Sequence, residues 1–149
     1  MIKNDLSYYF GKNYEKDPSE LSSLNATQKN SLHTIIKKCE KYGVNNKYAI
    51  SAILSIVSKE SNFIPSVEGS YSKTSANRIR DIFGKNRTYK YTNQQIDTIK
   101  KNDKEFFDMV YGVSALNNGF QTYGNDQIGD GYRYRGRGFN QITFKNIYD

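Results

Sequence analysis

Two carboxylates, Glu60 and Glu68, lie eight residues apart on either side of Pro65. Glu60 follows an apolar helical stripe and, seven residues after Ile53, returns to within about 20° of it on a helix. We expect this carboxyl to be removed from water, which favours its protonated form and suits a general acid. The simpler interpretation is a helix-end carboxylate that pairs with a Lys or Arg.

Glu68 is separated from that helix by Pro65, which prevents the helix from continuing. On one unbroken helix the two carboxylates would lie about 12 Å apart along the axis. A break between them allows the chain to fold back and to place them across a cleft. Hydrolysis of a glycosidic bond needs such a pair, one carboxyl to protonate the leaving oxygen and one to activate water. A solvated loop carboxylate is the alternative, because a chain with 15 acidic residues contains many such pairs.

The segment 132–143 alternates aromatic residues with arginine and then arginine with glycine (YRYRGRGFNQIT). These residues suit a sugar-binding cleft, and they equally suit single-stranded nucleic acid, whose bases stack on aromatic rings and whose phosphates pair with arginine. Gly136 and Gly138 allow a ligand or another segment to approach the backbone closely. The structural alternative is a tight strand and turn whose arginines pair with acidic side chains inside the fold.

The composition excludes several kinds of site. The net charge is +7, which predicts an anionic partner, either nucleic acid or a bacterial envelope. The single Cys39 and the single His33 exclude an intramolecular disulfide and a zinc site made of Cys and His. The mean hydropathy is −0.80, and no apolar run approaches the roughly 20 residues that a transmembrane helix needs.

Hydrophobic spacing of three and four residues predicts a mostly α-helical chain. Residues 1–24 are predicted to be a leader or linker, and residues 25–149 to form one domain. Helices are predicted at 27–42, 46–60, 75–83, 92–101 and 103–112, with connections at 85–91 and 113–131 and a last helix capped by Thr143. The second helix is apolar nearly all round, which predicts a buried central position.

Four blocks of the sequence carry a resemblance. They are Glu60–Phe63 (ESNF), Glu68 with Tyr71 and Ser72, Val110–Gly112 (VYG) and Gly129–Thr143 (GDGYRYRGRGFNQIT). Together these blocks resemble glycoside hydrolase family 19, the chitinase-like enzymes, and within it the phage endolysin branch. The similarity covers residues 24–149, and the last block is the most specific because most of its positions agree in order.

The resemblance implies a lysozyme-like helical fold of two lobes with a short strand or turn region and a second lobe that is truncated here. Family members hydrolyse β-1,4 links between N-acetylated sugars, in chitin or in peptidoglycan, with inversion. The resemblance assigns Glu60 as the general acid, Glu68 as the general base and Thr143 as the residue that helps to hold the attacking water. It matches Gln141 to a substrate-contacting Gln and places Arg137 in the turn that shapes the floor of the cleft. We expect Tyr71, Ser72, Tyr134 and Asn146 to bind substrate as well.

The same resemblance, with the positive charge and the scarcity of cysteine, favours peptidoglycan over chitin as the substrate. We expect no metal or organic cofactor, no membrane insertion, other virion proteins as further partners, and no nucleic-acid partner. No apolar signal core follows Met1, so we expect synthesis in the host cytoplasm and action at the bacterial cell wall, after delivery by a holin or within a virion.

Several positions depart from the family pattern. Lys59 stands where His is usual before the acid, Asn62 and Phe63 where glycines are frequent, and Ile147 where an Asn is expected. Two alternatives therefore stay open. The block around Glu60 (ESNFIP) also resembles lytic transglycosylases of the goose-lysozyme kind, which use a single catalytic Glu. A non-catalytic virion or nucleic-acid-binding protein on the same scaffold is the other alternative.

Overall fold

A computed structural model describes residues 23–148, so the predicted leader at 1–24 lies outside the described residues except for its last two positions. These residues form nine helices and one two-stranded sheet, which confirms the mostly α-helical class. None of the helices in this range is long and apolar enough to cross a membrane. The chain divides into two compact units, and the division falls between Ser66 and Val67.

The five predicted helices are all present, and shorter ones accompany them. In chain order the elements are α1 (Ala26–Lys41), α2 (Lys47–Ser61), β1 (Ser66–Val67), α3 (Ala76–Phe83), α4 (Lys85–Thr88), α5 (Asn93–Ile99), α6 (Asp103–Tyr111), α7 (Val113–Asn117), α8 (Asp130–Arg133), β2 (Arg137–Gly138) and α9 (Lys145–Tyr148). The predicted connections at 85–91 and 113–131 contain α4, α7 and the start of α8. Helices of four or five residues are too short for hydrophobic periodicity to reveal them.

In the first unit, α1 packs against α2 through a narrow apolar stripe. α1 begins at a capping box, in which Asn25 Oδ1 accepts from Gln28 N (3.0 Å) and Gln28 Oε1 accepts from Asn25 N (2.8 Å). Gln28 Nε2 donates to Asn62 O (3.0 Å) and so ties the start of α1 to the end of α2. The buried stripe of α1 consists of residues spaced by three, one and three along the helix, Leu32, Ile35, Ile36 and Cys39.

Helix α2 has one buried face only. Its buried residues are Ile50, Leu54 and Val57, spaced by four and three, whereas Ile56 is 54% exposed. The prediction of a helix buried all round is therefore wrong. In the described part of this unit two helices cover one face of each other, so the remaining apolar side chains of α2 stay at the surface.

The second unit is organised around α6, which contacts α5, α7 and α8. Asn102 caps its first turn, because its side-chain oxygen accepts from the backbone amides of Lys104 (3.1 Å) and Glu105 (3.5 Å). The buried cluster around it contains Ala76, Ile79, Ile96, Phe106, Phe107, Met109 and Val110. This aromatic core makes α6 a rigid support for the side chains that leave its last turn.

The C-terminal part of the second unit departs from one prediction. Thr143 does not cap α9, since its hydroxyl donates to Gln141 O (3.2 Å) and the first amide of the helix, Lys145 N, donates to Asn125 Oδ1 (3.0 Å). Phe144 has a left-handed backbone (φ 74°), which turns the chain between Thr143 and the helix. The hydroxyl of Thr143 is thereby directed away from the helix start.

Candidate active site around Glu68

Glu68 directly follows β1, is half-buried, and accepts three hydrogen bonds through its carboxylate. The hydroxyls of Tyr71 and Tyr111 donate to Oε1 at 3.0 and 3.2 Å, and the backbone amide of Gly136 donates to Oε2 at 3.1 Å. All three partners are donors, so the carboxylate of Glu68 is the acceptor in each of these hydrogen bonds. A freely solvated loop carboxylate, the alternative interpretation, does not describe Glu68.

The main chain of Glu68 is also hydrogen-bonded to the segment that contains Arg135 and Gly136. Its amide donates to Gly136 O (2.8 Å), and Arg135 Nε donates to its carbonyl oxygen (3.0 Å) across 67 residues of sequence. The Arg135 guanidinium lies over the Tyr132 ring, 4.0 Å from its centroid, and donates to Tyr132 O at 2.6 Å. Arg135 thus bonds to carbonyl oxygens and stacks on a ring, and it forms no ion pair with an acidic side chain of residues 23–148.

The two tyrosines reach Glu68 from the aromatic core. The Tyr71 ring stacks on Phe106 (centroids 5.1 Å apart), and the Tyr111 ring stacks on Phe107 (6.1 Å). Burial, together with the negative charge of Glu68, raises the pKa of Tyr71 to about 12, and the same causes raise the pKa of Tyr111 above its usual range. Both phenols therefore keep their protons and remain donors to the carboxylate.

These raised pKa values predict destabilisation by alkali. Tyrosines of the unfolded chain ionise near pH 10, whereas Tyr71 in the folded protein keeps its proton up to about pH 12. Between those values the unfolded state binds fewer protons, so the free energy of unfolding falls as the pH rises. We expect the melting temperature to fall more steeply over this range in the wild type than in the double variant Tyr71→Phe/Tyr111→Phe. Replacing the exposed Tyr89 by Phe is the control, and equal slopes in wild type and double variant would contradict the prediction.

Three side-chain oxygens converge in front of Gly136. A Cβ at this position would lie 2.9 Å from Gln141 Oε1, 3.2 Å from Glu68 Oε2 and 3.5 Å from Thr143 Oγ1. Gln141 Nε2 donates to Gly138 O (3.3 Å), which directs Oε1 towards Gly136. The structure therefore brings together three of the residues predicted from the sequence, Glu68, Gln141 and Thr143.

The remaining predicted substrate residues of the second unit lie around this centre without joining it. Ser72 is exposed, and Tyr134 packs edge-to-face on Tyr148, with ring centroids 5.6 Å apart. The Asn146 side chain lies against the backbone of Gly124. No contact of these side chains links them to the carboxylate among residues 23–148, and their roles stay predictions.

Arg137 lies in β2, one residue after Gly136. Its amide and carbonyl pair with Ile142 at 3.1 and 3.0 Å, which closes the turn that carries Gln141. The Nε atom of Arg137 is buried and has no hydrogen-bond acceptor among the described residues. The backbone of this residue thus shapes the turn, and the contact of its side chain with substrate stays a prediction.

Glu60 belongs to the first unit, where it is exposed in the last turn of α2. The buried row of the helix continues from Val57 to the half-buried Ser61, whose hydroxyl donates to Val57 O (2.9 Å). Glu60 precedes Ser61 by one residue, or about 100° around the helix. The expected desolvation of Glu60 is therefore wrong. Its role as a general acid, and its distance from Glu68, stay predictions.

Sequence reasoning missed a buried carboxylate that supports the centre. Asp108 is 6% exposed, and it accepts from the amides of Gly129 (2.7 Å) and Gly131 (3.0 Å). It thereby fixes the turn that leads into segment 132–136. The available signal was its position inside an otherwise apolar run of α6 (FFDMV). Tyr111 was also missed as a site residue, although it lies in the VYG block.

No group of three His, Cys, Asp or Glu within 23–148 is placed to hold a metal ion. Comparison with known proteins finds no family model, no curated protein and no solved structure that matches the chain. The resemblance to family 19 therefore rests on the residues of the four blocks alone. The geometry around Glu68 is an independent observation, because it does not depend on that resemblance.

Proposed function

We propose that this protein is a glycoside hydrolase that cleaves β-1,4 links between N-acetylated sugars of peptidoglycan, with Glu68 as its general base. The observation that carries the proposal is the convergence of Glu68 Oε2, Thr143 Oγ1 and Gln141 Oε1 in front of Gly136. A carboxylate held by three donors beside two further oxygen acceptors suits the binding and deprotonation of a water molecule.

The reaction requires two proton transfers. Glu68 takes a proton from water as the water oxygen forms its bond to the anomeric carbon, and the bond from that carbon to the leaving oxygen breaks. The leaving oxygen receives a proton from a separate acid, for which the resemblance assigns Glu60. Attack from the face opposite the leaving group inverts the configuration of the anomeric carbon. A positioned base of this kind increases the rate of the reaction by about 10²–10⁴-fold.

The charge distribution supports peptidoglycan as the substrate. The described part of the first unit contains six lysines, all exposed, and only two glutamates. Such a surface attracts an anionic cell wall and concentrates the enzyme on it. Uncharged chitin would gain nothing from this charge. A lytic enzyme of the phage type, delivered to the wall during infection or lysis, fits this preference.

Product analysis tests the proposal. We expect the purified protein to release fragments from purified peptidoglycan that carry a reducing end and one added water, with the inverted anomer forming first in proton NMR spectra. If mass spectrometry detected anhydro-sugar products instead, the protein would be a transglycosylase and not a hydrolase. No release from peptidoglycan, together with nucleic-acid binding that weakens steeply with salt, would favour the non-catalytic alternative.

A further inference from the structure

We propose that Gly136 is a positioning residue of the reaction: the absence of a side chain there lets the attacking water contact Oε2 of Glu68, while Tyr71 and Tyr111 occupy Oε1. This inference rests on the proposed hydrolase function and assigns the proton-accepting atom within it.

The two oxygens of Glu68 differ in how many hydrogen bonds they already accept. A carboxylate oxygen has about two acceptor positions. Oε1 accepts from both phenols, at 3.0 and 3.2 Å, and both positions are used. Among residues 23–148, Oε2 accepts only from the amide of Gly136, at 3.1 Å, and one of its acceptor positions is not used by these residues. A proton from water therefore goes to Oε2.

The neighbours of Oε2 are also acceptors. The hydroxyl proton of Thr143 is used on Gln141 O (3.2 Å), and the side-chain amide of Gln141 donates to Gly138 O (3.3 Å). The lone pairs of Thr143 Oγ1 therefore face the same space as Oε2, and Gln141 Oε1 lies at the edge of that space. Water matches this pair of acceptors, because it donates one proton to Oε2 and the other to Thr143 Oγ1. Its own lone pair is then left for the anomeric carbon.

Only glycine leaves this space open. A methyl group on Gly136 would lie between 2.9 and 3.5 Å from all three oxygens. Its closest contact would be the end of the flexible Gln141 side chain, which can move. The backbone of Gly136 is not left-handed, so alanine fits without backbone strain. The methyl group would therefore displace the water and Oε2 while leaving the fold in place.

The test compares Gly136→Ala with Gly69→Ala on purified peptidoglycan. A Cβ on Gly69, the residue after Glu68, meets nothing within 4 Å, so this variant is a matched control. We expect Gly136→Ala to lower kcat at least about 100-fold, with KM and melting temperature close to the wild type, because a small displacement of reacting groups has that effect. Gly69→Ala should keep wild-type kcat. A Gly136→Ala kcat within threefold of the wild type would overturn the proposal.

A second pair of variants decides the question if Gly136→Ala fails to fold. Thr143→Ser keeps the hydroxyl and should retain most activity, whereas Thr143→Val removes it and should lower kcat at least about 10-fold. Equal activity of the two would overturn the role of Thr143 Oγ1 and with it this inference. The proposed function fails separately, since it is overturned if Glu68→Gln is fully active. An inactive Glu68→Gln beside an active Gly136→Ala refutes this inference alone.

Discussion

Glu68→Gln is expected to lower kcat on peptidoglycan by about 10²–10⁴, with little change in KM. An amide cannot take a proton from water, although it has nearly the same shape as the carboxylate. Its oxygen can still accept from Tyr71 and Tyr111, so the side chain keeps part of its support. Release of reducing ends from purified peptidoglycan, measured over a range of substrate concentrations, gives both constants.

Glu105→Gln is the matched control for this prediction, because Glu105 is an exposed carboxylate on α6 and its replacement makes the same change of charge. Circular dichroism and a melting curve establish that each variant is folded. The transglycosylase alternative predicts that Glu68→Gln is nearly silent, since that reaction uses a single catalytic Glu. If a folded Glu68→Gln protein has the kcat of the wild type, Glu68 is therefore not the general base.

Small anions offer a further check of the same role. Glu68→Ala removes the base and leaves room beside Gly136, and azide is a nucleophile that needs no base to activate it. We expect added azide to restore bond cleavage in Glu68→Ala, with azide bonded to the anomeric carbon of the product. Azide should not raise the rate of bond cleavage by Gly69→Ala or by the wild type above the rate that each shows without azide. Failure to form this product would mean that the defect of Glu68→Ala is not the loss of a base.

The helices could be predicted from the sequence where local signals agreed. Asn25 and Asn102 cap helices whose apolar residues recur every three or four positions, and capping and periodicity both act within one turn. The burial of α2 could not be predicted in this way. An apolar side chain such as Ile56 fits a buried and an exposed face equally well, and only the number of packing partners decides between them.

The sequence identified the three residues that converge in front of Gly136, but it did not identify the groups that hold Glu68 in place. Glu68, Thr143 and Gln141 stand in sequence blocks that resemble a known family, so their types and order identified them. The donors to Glu68 come from 3, 43 and 68 residues away, and no local spacing specifies contacts at the longer separations. Tyr111 lies in the predicted helix 103–112, and its ring does pack on Phe107, but local spacing could not reveal that its hydroxyl donates to Glu68.

Asp108→Asn is expected to destabilise the second unit by about 2–4 kcal/mol, a large part of the stability of a domain of this size. The carboxylate accepts one backbone amide on each oxygen, from Gly129 and Gly131, and it is 6% exposed. The asparagine side chain has only one oxygen. Its NH₂ group must therefore face one of the two amides, donor against donor, without water to relieve the contact.

Thermal unfolding measures the effect, and a fall of the melting temperature by roughly 10–20 °C is expected. Asp126→Asn is the matched control, because Asp126 is an exposed carboxylate in the loop that precedes Gly129. This variant should have the melting temperature of the wild type. Gly129 and Gly131 begin the segment whose Arg135 and Gly136 hold Glu68. Loss of their anchor should therefore also lower kcat at temperatures where the Asp108→Asn protein is still folded. A normal melting temperature would show that these glycines are held by the rest of the fold and that Asp108 is dispensable.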